Sequence, residues 1–571
     1  MREGHLQIGG GCLDGCAGTA AKIFLVIFVC LFFYFGISNM GKFYEQGYFS
    51  HINGIIAFLV VFGSPLFILY FVFFYKRKGT KKSNQIVLKP DSVCLGTVNG
   101  TIVIDNPFRG FFVLGAAGSG KSESIAVPLL NEFIKQGFAG VVYDFKFPSL
   151  ANDVQTFIDA NRSDLRHFFL NFNNPLASHR INPLRPEYLQ NTSYAREYAQ
   201  ALINNLMKES IKKPDFWSRS AVDLLTACIW YLKEERPDIC DLPHVCAMIT
   251  SKDTALLSKL QQNATTAQMT ISIFNAMERG AEGQTAGVIG TLQGAIAQIN
   301  TPELMFIFGG NDFSLDINNP ANPCILTVGS YPTLVTTLAP LCALVITVAT
   351  KLMNQPNKRK SFVLLDEAPT CFIPNLEILP NTGRSNKVAT VLMCQDLAQF
   401  TDGYGKEKAD VLFASCNNHF YGRVASSLTS ETLSKQFGKR DKVYVTASEG
   451  KERKLIGYSL FGHVGASETV QERDIIKPAE FLNFGVGEFA GITVESNAPN
   501  FRAKFHTIQR TAPNYIQQRY GDINGYYKQV RYDINKLLDI DSHSSHSGIL
   551  NNTQTNSKSE EKGNPFDMFG D

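Results

Sequence analysis

A glycine-rich turn that directly follows an apolar run restricts the possible folds of this sequence more than any other feature. Residues 110–122 read GFFVLGAAGSGKS and match the pattern G-x-x-x-x-G-K-[ST]. In such a turn, backbone N–H groups and the N-terminus of the next helix hold phosphate groups, so a buried strand must precede it and a helix must follow it. Phe111–Leu114 is predicted to be that strand, whereas Pro128 indicates a kink or an unusual first turn in the helix.

The matched residues predict a site for a nucleotide with Mg²⁺. The side chain of Lys121 is expected to reach the β- and γ-phosphates, and the hydroxyl of Ser122 is expected to bind the metal ion. The residues expected to surround the phosphates are Gly115, Ala116, Ala117, Gly118, Ser119, Gly120, Lys121 and Ser122.

A second apolar run ends in two acids and predicts the other half of this site. Residues 361–369 read SFVLLDEAP, with Phe362–Leu365 as a strand. Hydrolysis needs a carboxylate that anchors Mg²⁺ through water and another that orients the attacking water. We expect Asp366 to take the first role and Glu367 the second. Alone, the segment also fits an ordinary strand with a solvated acidic turn, but its pairing with the phosphate loop favours the nucleotide site.

Three other continuous apolar runs, at residues 140–143, 324–328 and 388–394, predict a parallel sheet buried on both faces. The fold class is therefore α/β, with the nucleotide at the carboxyl ends of the strands. Between these runs, apolar residues recur at helical spacing and predict an inserted all-α domain over residues 186–299. The aromatic residues of its apolar stripe favour core packing over stacking against nucleic-acid bases.

Two apolar segments near the N-terminus predict a transmembrane anchor within residues 1–80. Ile55–Tyr75 has no charge and is long enough to cross the hydrocarbon layer. Ile23–Ile37 is shorter and needs its flanks, so the helices are expected at about residues 20–40 and 55–75. The alternative for the first segment is a cleaved signal peptide, which the missing cleavage site and the second apolar segment disfavour.

The charges around these segments predict their orientation. The basic cluster KRKGTKK follows Tyr75, whereas the loop over residues 38–54 carries only Lys42 and Glu45 as formal charges. Because basic residues flank the cytoplasmic side of membrane helices, both ends of the chain are expected in the cytoplasm.

Composition excludes some classes of protein. The 571 residues are 44% hydrophobic, which is enough for a large core and more than one domain. A net charge of +3 does not mark the whole chain as a nucleic-acid binder, so any DNA contact must be local. The 12 cysteines form no C-x-x-C pair and stand mostly in apolar runs, which indicates reduced core thiols rather than a metal site.

Taken together, these features resemble the type IV secretion coupling proteins, the TraG/TraD/TrwB family. The resemblance rests on the two apolar segments, GAAGSGKS, the helical insertion, LLDEAP and TGRSNKVATVLMCQDLAQF. Weaker agreement comes from YDFK, SHRINPL, DFWSRSAVDLL and VLFASCNNHFYGR, and the match extends over about residues 24–510. The sequence departs from the common pattern at Ala368, where phenylalanine is usual, and at Ser385, where glycine is frequent. Neither change removes a catalytic atom.

The resemblance implies a homo-hexameric ATPase, anchored in the bacterial inner membrane by several helices, with its catalytic domain in the cytoplasm. Its cofactors would be ATP and Mg²⁺. It would receive a relaxase-bound single DNA strand, other relaxosome proteins or protein effectors, and would deliver them to a secretion channel. The implied RecA-like P-loop domain spans residues 81–185 and 300–540, interrupted by the all-α domain.

The resemblance also implies further site residues. Gln395 would sense the γ-phosphate at a strand end, and Arg384, or Arg109, would contact the nucleotide of a neighbouring subunit, where guanidinium groups stabilise the transferred phosphoryl. The alternative for each arginine is a surface or structural ion pair. Asp144 and Lys146 either support Mg²⁺-bound water or a phosphate, or form a salt bridge.

The polar residues 541–571 are predicted to be disordered. Their last part, Pro565–Asp571, carries two phenylalanines and a methionine beside acids, and it is expected either to recruit a substrate protein or to be a solvated terminus. Two alternative functions stay open from the sequence: a chromosome-segregating DNA translocase, and a receptor that uses nucleotide as an assembly switch with little turnover.

Overall fold

The computed structural model describes residues 88–449, 464–511 and 516–540, together with some positions between 31 and 56 that include helix α1, Met40–Glu45. The chain divides into two compact units, Met1–Val87 and Leu88–Asp571. The predicted membrane segments lie largely outside the described residues, and the predicted disordered tail lies wholly outside them.

A nine-stranded sheet is the centre of the second unit. Its strands are β3 (Phe111–Leu114), β4 (Ala139–Asp144), β5 (Arg166–Leu170), β6 (Cys324–Gly329), β7 (Ser361–Leu365), β8 (Val388–Cys394), β9 (Asn418–Tyr421), β12 (Glu488–Ile492) and β13 (Asn500–Lys504). Their order across the sheet is β13-β12-β9-β3-β8-β7-β4-β6-β5. The seven adjacent strands from β9 to β5 are parallel. Beyond β9, the sheet continues with β12, which is antiparallel to β9, and with β13, which is antiparallel to β12.

Burial explains why these runs form central strands. Every residue of β3, β4, β6, β7 and β8 is buried. A strand covered on both faces must be apolar on both, which produces continuous apolar runs rather than alternation. The predicted α/β class is therefore confirmed.

Helices and two hairpins surround the sheet. The hairpins are β1 (Val93–Thr97) with β2 (Gly100–Ile104) and β10 (Lys439–Glu449) with β11 (Val464–Asp474). The helices that follow the sheet strands are α2 (Val127–Lys135), α3 (Ser149–Asn161), α13 (Val335–Met353), α14 (Ile378–Thr382), α15 (Leu397–Tyr404), α16 (Lys406–Ser415), α17 (Ser427–Phe437) and α18 (Pro478–Leu482).

One helix in the described part of the chain, α13, is long and apolar enough to cross a membrane, but 78% of its most apolar stretch is buried inside the protein. Eight of the nine described cysteines are buried too, as their apolar sequence context predicts.

The region between β5 and β6 is helical. It contains α4 (Thr192–Leu206), α5 (Glu209–Lys212), α6 (Phe216–Glu235), α7 (Leu242–Ile249), α8 (Asp253–Gln262), α9 (Ala264–Met269), α10 (Ile271–Glu278), α11 (Glu282–Ala297) and α12 (Pro302–Phe308). The helical periodicity predicts an apolar stripe in α6, and six of its seven positions are buried: Ala221, Leu224, Leu225, Cys228, Ile229 and Leu232. The seventh, Trp217, is 40% exposed because it lies in the first turn of the helix, so the prediction of core packing is wrong for this residue.

The last helix, α19 (Ile523–Leu537), packs against α7 and α12 of this helical region. Lys259 in α8 forms an ion pair with Asp539 at 2.8 Å, just beyond the end of α19. Both α12 and α19 lie in residues 300–540, which are predicted as part of the nucleotide-binding domain, because local periodicity does not reveal the packing partners of either helix.

Candidate nucleotide-binding site

The glycine-rich turn lies at the carboxyl end of β3, where the sequence predicts it. Gly118 and Gly120 have φ values of +74° and +92°, a conformation that side chains with a Cβ disfavour. A Cβ on Gly120 would also lie 2.9 Å from the backbone nitrogen of Gly487, so glycine is required there. Residues 122–126 form a π-helical turn before α2, so Pro128 lies in the first turn of that helix. A proline is tolerated there because its missing N–H is not needed for a helical hydrogen bond.

Lys121 lies inside the turn. Its Nζ donates a hydrogen bond to the carbonyl oxygen of Gly115, and the residue is buried. Burial lowers the pKa of Lys121, and the nearby charge of Glu367 opposes this shift. The Oγ of Ser119 is buried without a hydrogen-bond partner among the described residues. The turn therefore offers a buried cation, an unpaired hydroxyl and backbone N–H groups, which fit a bound phosphate.

The two predicted acids follow β7 and face this turn. The Oγ of Ser122 donates to Oδ1 of Asp366 over 3.2 Å, which brings together the two expected Mg²⁺ ligands. Glu367 is 6% exposed, and its Oε2 accepts a hydrogen bond from Nε2 of Gln395 over 3.1 Å. Gln395 follows β8, the strand between β3 and β7. Sheet order thus brings together residues that are far apart in the sequence.

Burial raises the pKa of both Asp366 and Glu367. The bond from Ser122 and the charge of Lys121 oppose this shift at Asp366, while Lys121 and Gln395 oppose it at Glu367. Two acids held beside one buried lysine form a site that favours a divalent cation between them and the phosphates.

The two predicted arginines lie at the amino ends of the strands, opposite the phosphate loop. Arg109 precedes β3 and Arg384 precedes β8, whereas the phosphate loop follows β3. Nε of Arg109 donates to Oε1 of Glu495 over 2.7 Å, and Nη2 of Arg384 lies 3.9 Å from the same oxygen. The four-residue strand β3 spans about 13 Å. The structure thus gathers the two arginines with Glu495, away from the chain's own phosphate loop.

Asp144 and Lys146 do not form the salt bridge that the sequence left open. Asp144 is fully buried, and its carboxylate accepts the N–H of Lys146 over 3.2 Å and of Ala151 over 3.1 Å. Burial raises the pKa of Asp144 to about 7. Asp144 therefore holds the turn that leads into α3. Lys146 is exposed, and its positive charge opposes the raised pKa of Asp366.

The site includes residues that sequence reasoning missed. The N–H of Gly487 donates to the carbonyl oxygen of Ser119 over 2.9 Å, so the segment before β12 lies against the phosphate loop. Arg423, just after β9, accepts the N–H of Ala116 with its carbonyl oxygen over 2.7 Å. Arg423 ends the segment VLFASCNNHFYGR, which carried the family resemblance but no role for this side chain.

A cavity of about 410 Å³ lies between Glu367 and the helical region. Its lining includes Glu367 and Gln395 from the site and Lys208 from the helical region. Beside it, the buried amide of Asn205 in α4 donates to the carbonyl oxygen of Phe372 over 2.7 Å and accepts its N–H over 2.9 Å. This pair of bonds ties the helical region to the segment that carries Glu367.

Comparison with solved structures supports this fold. An unbound form of the bacterial conjugative coupling protein TrwBdeltaN70 aligns with a TM-score of 0.58 and 16% identity, over 75% of this chain and 91% of that one. TrwB in complex with ADP and Mg²⁺ aligns with a TM-score of 0.55 and 16% identity, over 72% and 87% of the two chains. TrwB with the ATP analogue ADPNP also gives 0.55 and 16%, over 73% and 89%. No curated protein sequence matches this chain.

The chain also matches a protein family, and this match tests the predicted resemblance to coupling proteins. Residues 73–499 match the family described as Type IV secretory system Conjugative DNA transfer. This range includes the phosphate loop, the helical region and both acids. The predicted resemblance is confirmed, and the chain belongs to the type IV secretory system conjugative DNA transfer family.

Proposed function

We propose that this chain is the coupling ATPase of a type IV secretion or conjugation system, which uses ATP hydrolysis to deliver DNA, with or without attached protein, to the secretion channel. The observation that carries the proposal is the convergence of Lys121, Ser122, Asp366, Glu367 and Gln395 at one edge of the sheet. Membership of a conjugative DNA transfer family supplies the process in which the motor acts.

The arrangement suits phosphoryl transfer to water. ATP with Mg²⁺ supplies the transferred γ-phosphoryl group and the charge of the metal. The backbone of the phosphate loop and Lys121 would bind the phosphates, while Ser122 and Asp366 would hold Mg²⁺, the latter through water. Glu367, oriented by Gln395, would accept a proton from the attacking water, and its raised pKa makes the carboxylate a better base.

The position of the arginines supports a ring of subunits. Because Arg109 and Arg384 lie at the sheet edge opposite the chain's own phosphate loop, they would act on the nucleotide of the next subunit. An arginine at one end of the sheet would complete the nucleotide site at the opposite end of the neighbouring sheet. Such a head-to-tail contact repeats from subunit to subunit and closes into a ring. A hexamer meets this requirement, and its central channel would hold a single DNA strand through phosphate contacts without reading bases.

The remaining features belong to the same proposal. The two N-terminal apolar segments would anchor the protein in the inner membrane, with the second unit in the cytoplasm. Relaxase, other relaxosome proteins or secreted effectors would be its protein partners. The family match disfavours a chromosome-segregating translocase. The rate of ATP hydrolysis distinguishes a motor from a receptor that uses nucleotide only as a switch.

The test is ATP hydrolysis by the purified full-length protein with and without single- and double-stranded DNA. We expect turnover in the parent protein, and none in Lys121→Ala or Glu367→Gln. The glutamine variant should still bind ATP, because the phosphate loop and Mg²⁺ ligands are retained. Parent-like turnover in Glu367→Gln would remove Glu367 from the mechanism, and tight ATP binding without turnover in the parent would support the nucleotide switch.

A further inference from the structure

We propose that the side chain of Arg423 binds a phosphate of the nucleotide held by its own chain. This inference rests on the proposed function and adds a contact that neither the sequence motif nor the family match assigns. Arg423 lies at the carboxyl ends of the strands, whereas Arg109 and Arg384 lie at the amino ends, so Arg423 has a different role.

The backbone of Arg423 is fixed against the phosphate loop. Strand β9 pairs in parallel with β3, so both strands end at the same edge. The N–H of Gly422 donates to the carbonyl oxygen of Leu114 over 2.8 Å, and the N–H of Ala116 donates to the carbonyl oxygen of Arg423 over 2.7 Å. On the far side, the N–H of Val424 donates to Phe481 over 3.1 Å. Hydrogen bonds on each side of Arg423 thus hold its Cα beside the first residues of the loop.

The guanidinium group extends over the same loop. Nη2 of Arg423 lies 3.5 Å from the carbonyl oxygen of Ala117, at the limit of a hydrogen bond, and the residue is exposed. This weak contact with a neutral acceptor leaves most of its donors facing solvent at the rim of the phosphate loop.

The charge of Arg423 is also not compensated by an acid. In the described part of the chain, no carboxylate oxygen lies within 4.0 Å of its guanidinium nitrogens. Other arginines around the sheet are paired: Arg109 with Glu495, Arg359 with Asp164, Arg502 with Glu488 and Arg510 with Asp153.

An uncompensated guanidinium beside a loop built to bind anions is suited to a phosphate, because its planar array of donors matches phosphate oxygens. Lys121 would contact the phosphates from inside the loop and Arg423 from its rim, so that one chain supplies both cations. Since the contact is made on binding, its loss is expected to weaken nucleotide affinity and not only turnover.

The experiment measures the Kd of a fluorescent ATP analogue with Mg²⁺ for the full-length protein and its variants. We expect Arg423→Ala and Arg423→Gln to weaken binding by about 10- to 100-fold, as for loss of a charge-assisted hydrogen bond. Arg423→Lys should recover part of the loss, since it keeps the charge but not the fork. The matched control is Arg531→Ala, which removes an exposed arginine of α19 and should bind as the parent does.

Unfolding without nucleotide distinguishes a phosphate contact from a structural role. The apparent Tm of Arg423→Ala should equal that of the parent when nucleotide is absent, and the rise in Tm that ATP and Mg²⁺ produce should shrink. Parent-like affinity in Arg423→Ala would overturn this proposal while leaving the proposed function intact, and so would a lowered Tm without nucleotide that accounts for the weaker binding. Absence of ATP binding and of hydrolysis in the parent protein would overturn both.

Discussion

Arg510 joins three distant parts of the chain, and its replacement tests how much this junction stabilises the fold. Its Nε and Nη2 donate to the two carboxylate oxygens of Asp153 in α3 over 2.5 and 2.7 Å. Its Nη1 and Nη2 donate to the two oxygens of Glu123 over 2.8 and 3.2 Å. Arg510 follows β13, and Glu123 follows Ser122, the proposed Mg²⁺ ligand. The guanidinium therefore clamps the start of the helix after the phosphate loop.

Burial sets the expected magnitude. The side chain of Asp153 is 3% exposed, whereas that of Glu123 is 54% exposed. Replacing Arg510 by alanine leaves the Asp153 carboxylate buried without its partner, which costs about 3–5 kcal/mol. The pair with Glu123 is screened by solvent and adds at most about 1 kcal/mol. We therefore expect Arg510→Ala to lower the free energy of unfolding by about 3–5 kcal/mol, nearly all of it through Asp153.

Urea-induced unfolding, followed by far-UV circular dichroism, measures this loss. The double variant Asp153→Asn, Arg510→Ala is the matched control, because it removes the buried charge along with its partner and should be more stable than Arg510→Ala alone. Arg510→Lys should lie between the parent and Arg510→Ala, since one ammonium group cannot replace two forked contacts. A loss below about 1 kcal/mol, the value for an exposed pair, would refute the reasoning from burial.

Four other changes test separate parts of the molecule. Because burial raises the pKa of Asp144 to about 7 from 3.8, its contribution to stability falls as pH rises between those values. Asp144→Asn does not titrate, so its stability relative to the parent should increase by about 1.4 kcal/mol per pH unit, on the order of 4 kcal/mol in all, when urea unfolding is compared across this range. Asn205→Ala leaves the N–H and C=O of Phe372 buried without partners, and should lower the free energy of unfolding in urea by about 2–4 kcal/mol and also lower ATP turnover. If neither value changes, Asn205 does not tie the helical region to the segment that carries Glu367. Assemblies that mix Arg384→Ala with Lys121→Ala subunits should recover turnover that neither variant has alone, because the arginine of a Lys121→Ala subunit would serve the intact phosphate loop of an Arg384→Ala neighbour; no recovery on mixing would argue against action in trans. Deletion of residues 565–571 should leave ATP hydrolysis intact while lowering transfer of the cognate substrate in a mating assay, and parent-like transfer would return the tail to a solvated terminus.

The sequence alone predicted where the nucleotide site lies and which residues form it. A phosphate loop needs glycines, a lysine and a hydroxyl residue within one short segment, so all its parts occur within residues 115–122. The central strands were evident for a related reason: burial on both faces requires every residue to be apolar, which leaves a continuous run. Asp366 and Glu367 followed from such a run, since acids at its end must lie at the carboxyl edge of the sheet.

Tertiary structure alone decided which distant residues meet. The order of the strands puts β8, and with it Gln395, between β3 and β7. Glu495 lies beside Arg109, 386 positions away in the sequence, and Arg510 reaches Glu123 across 387 positions. These partners are single charged residues with no periodicity or local motif, so nothing near them in the sequence specifies the contact. Local patterns record only whether a position is buried, whereas the identity of its partner depends on how the whole chain packs.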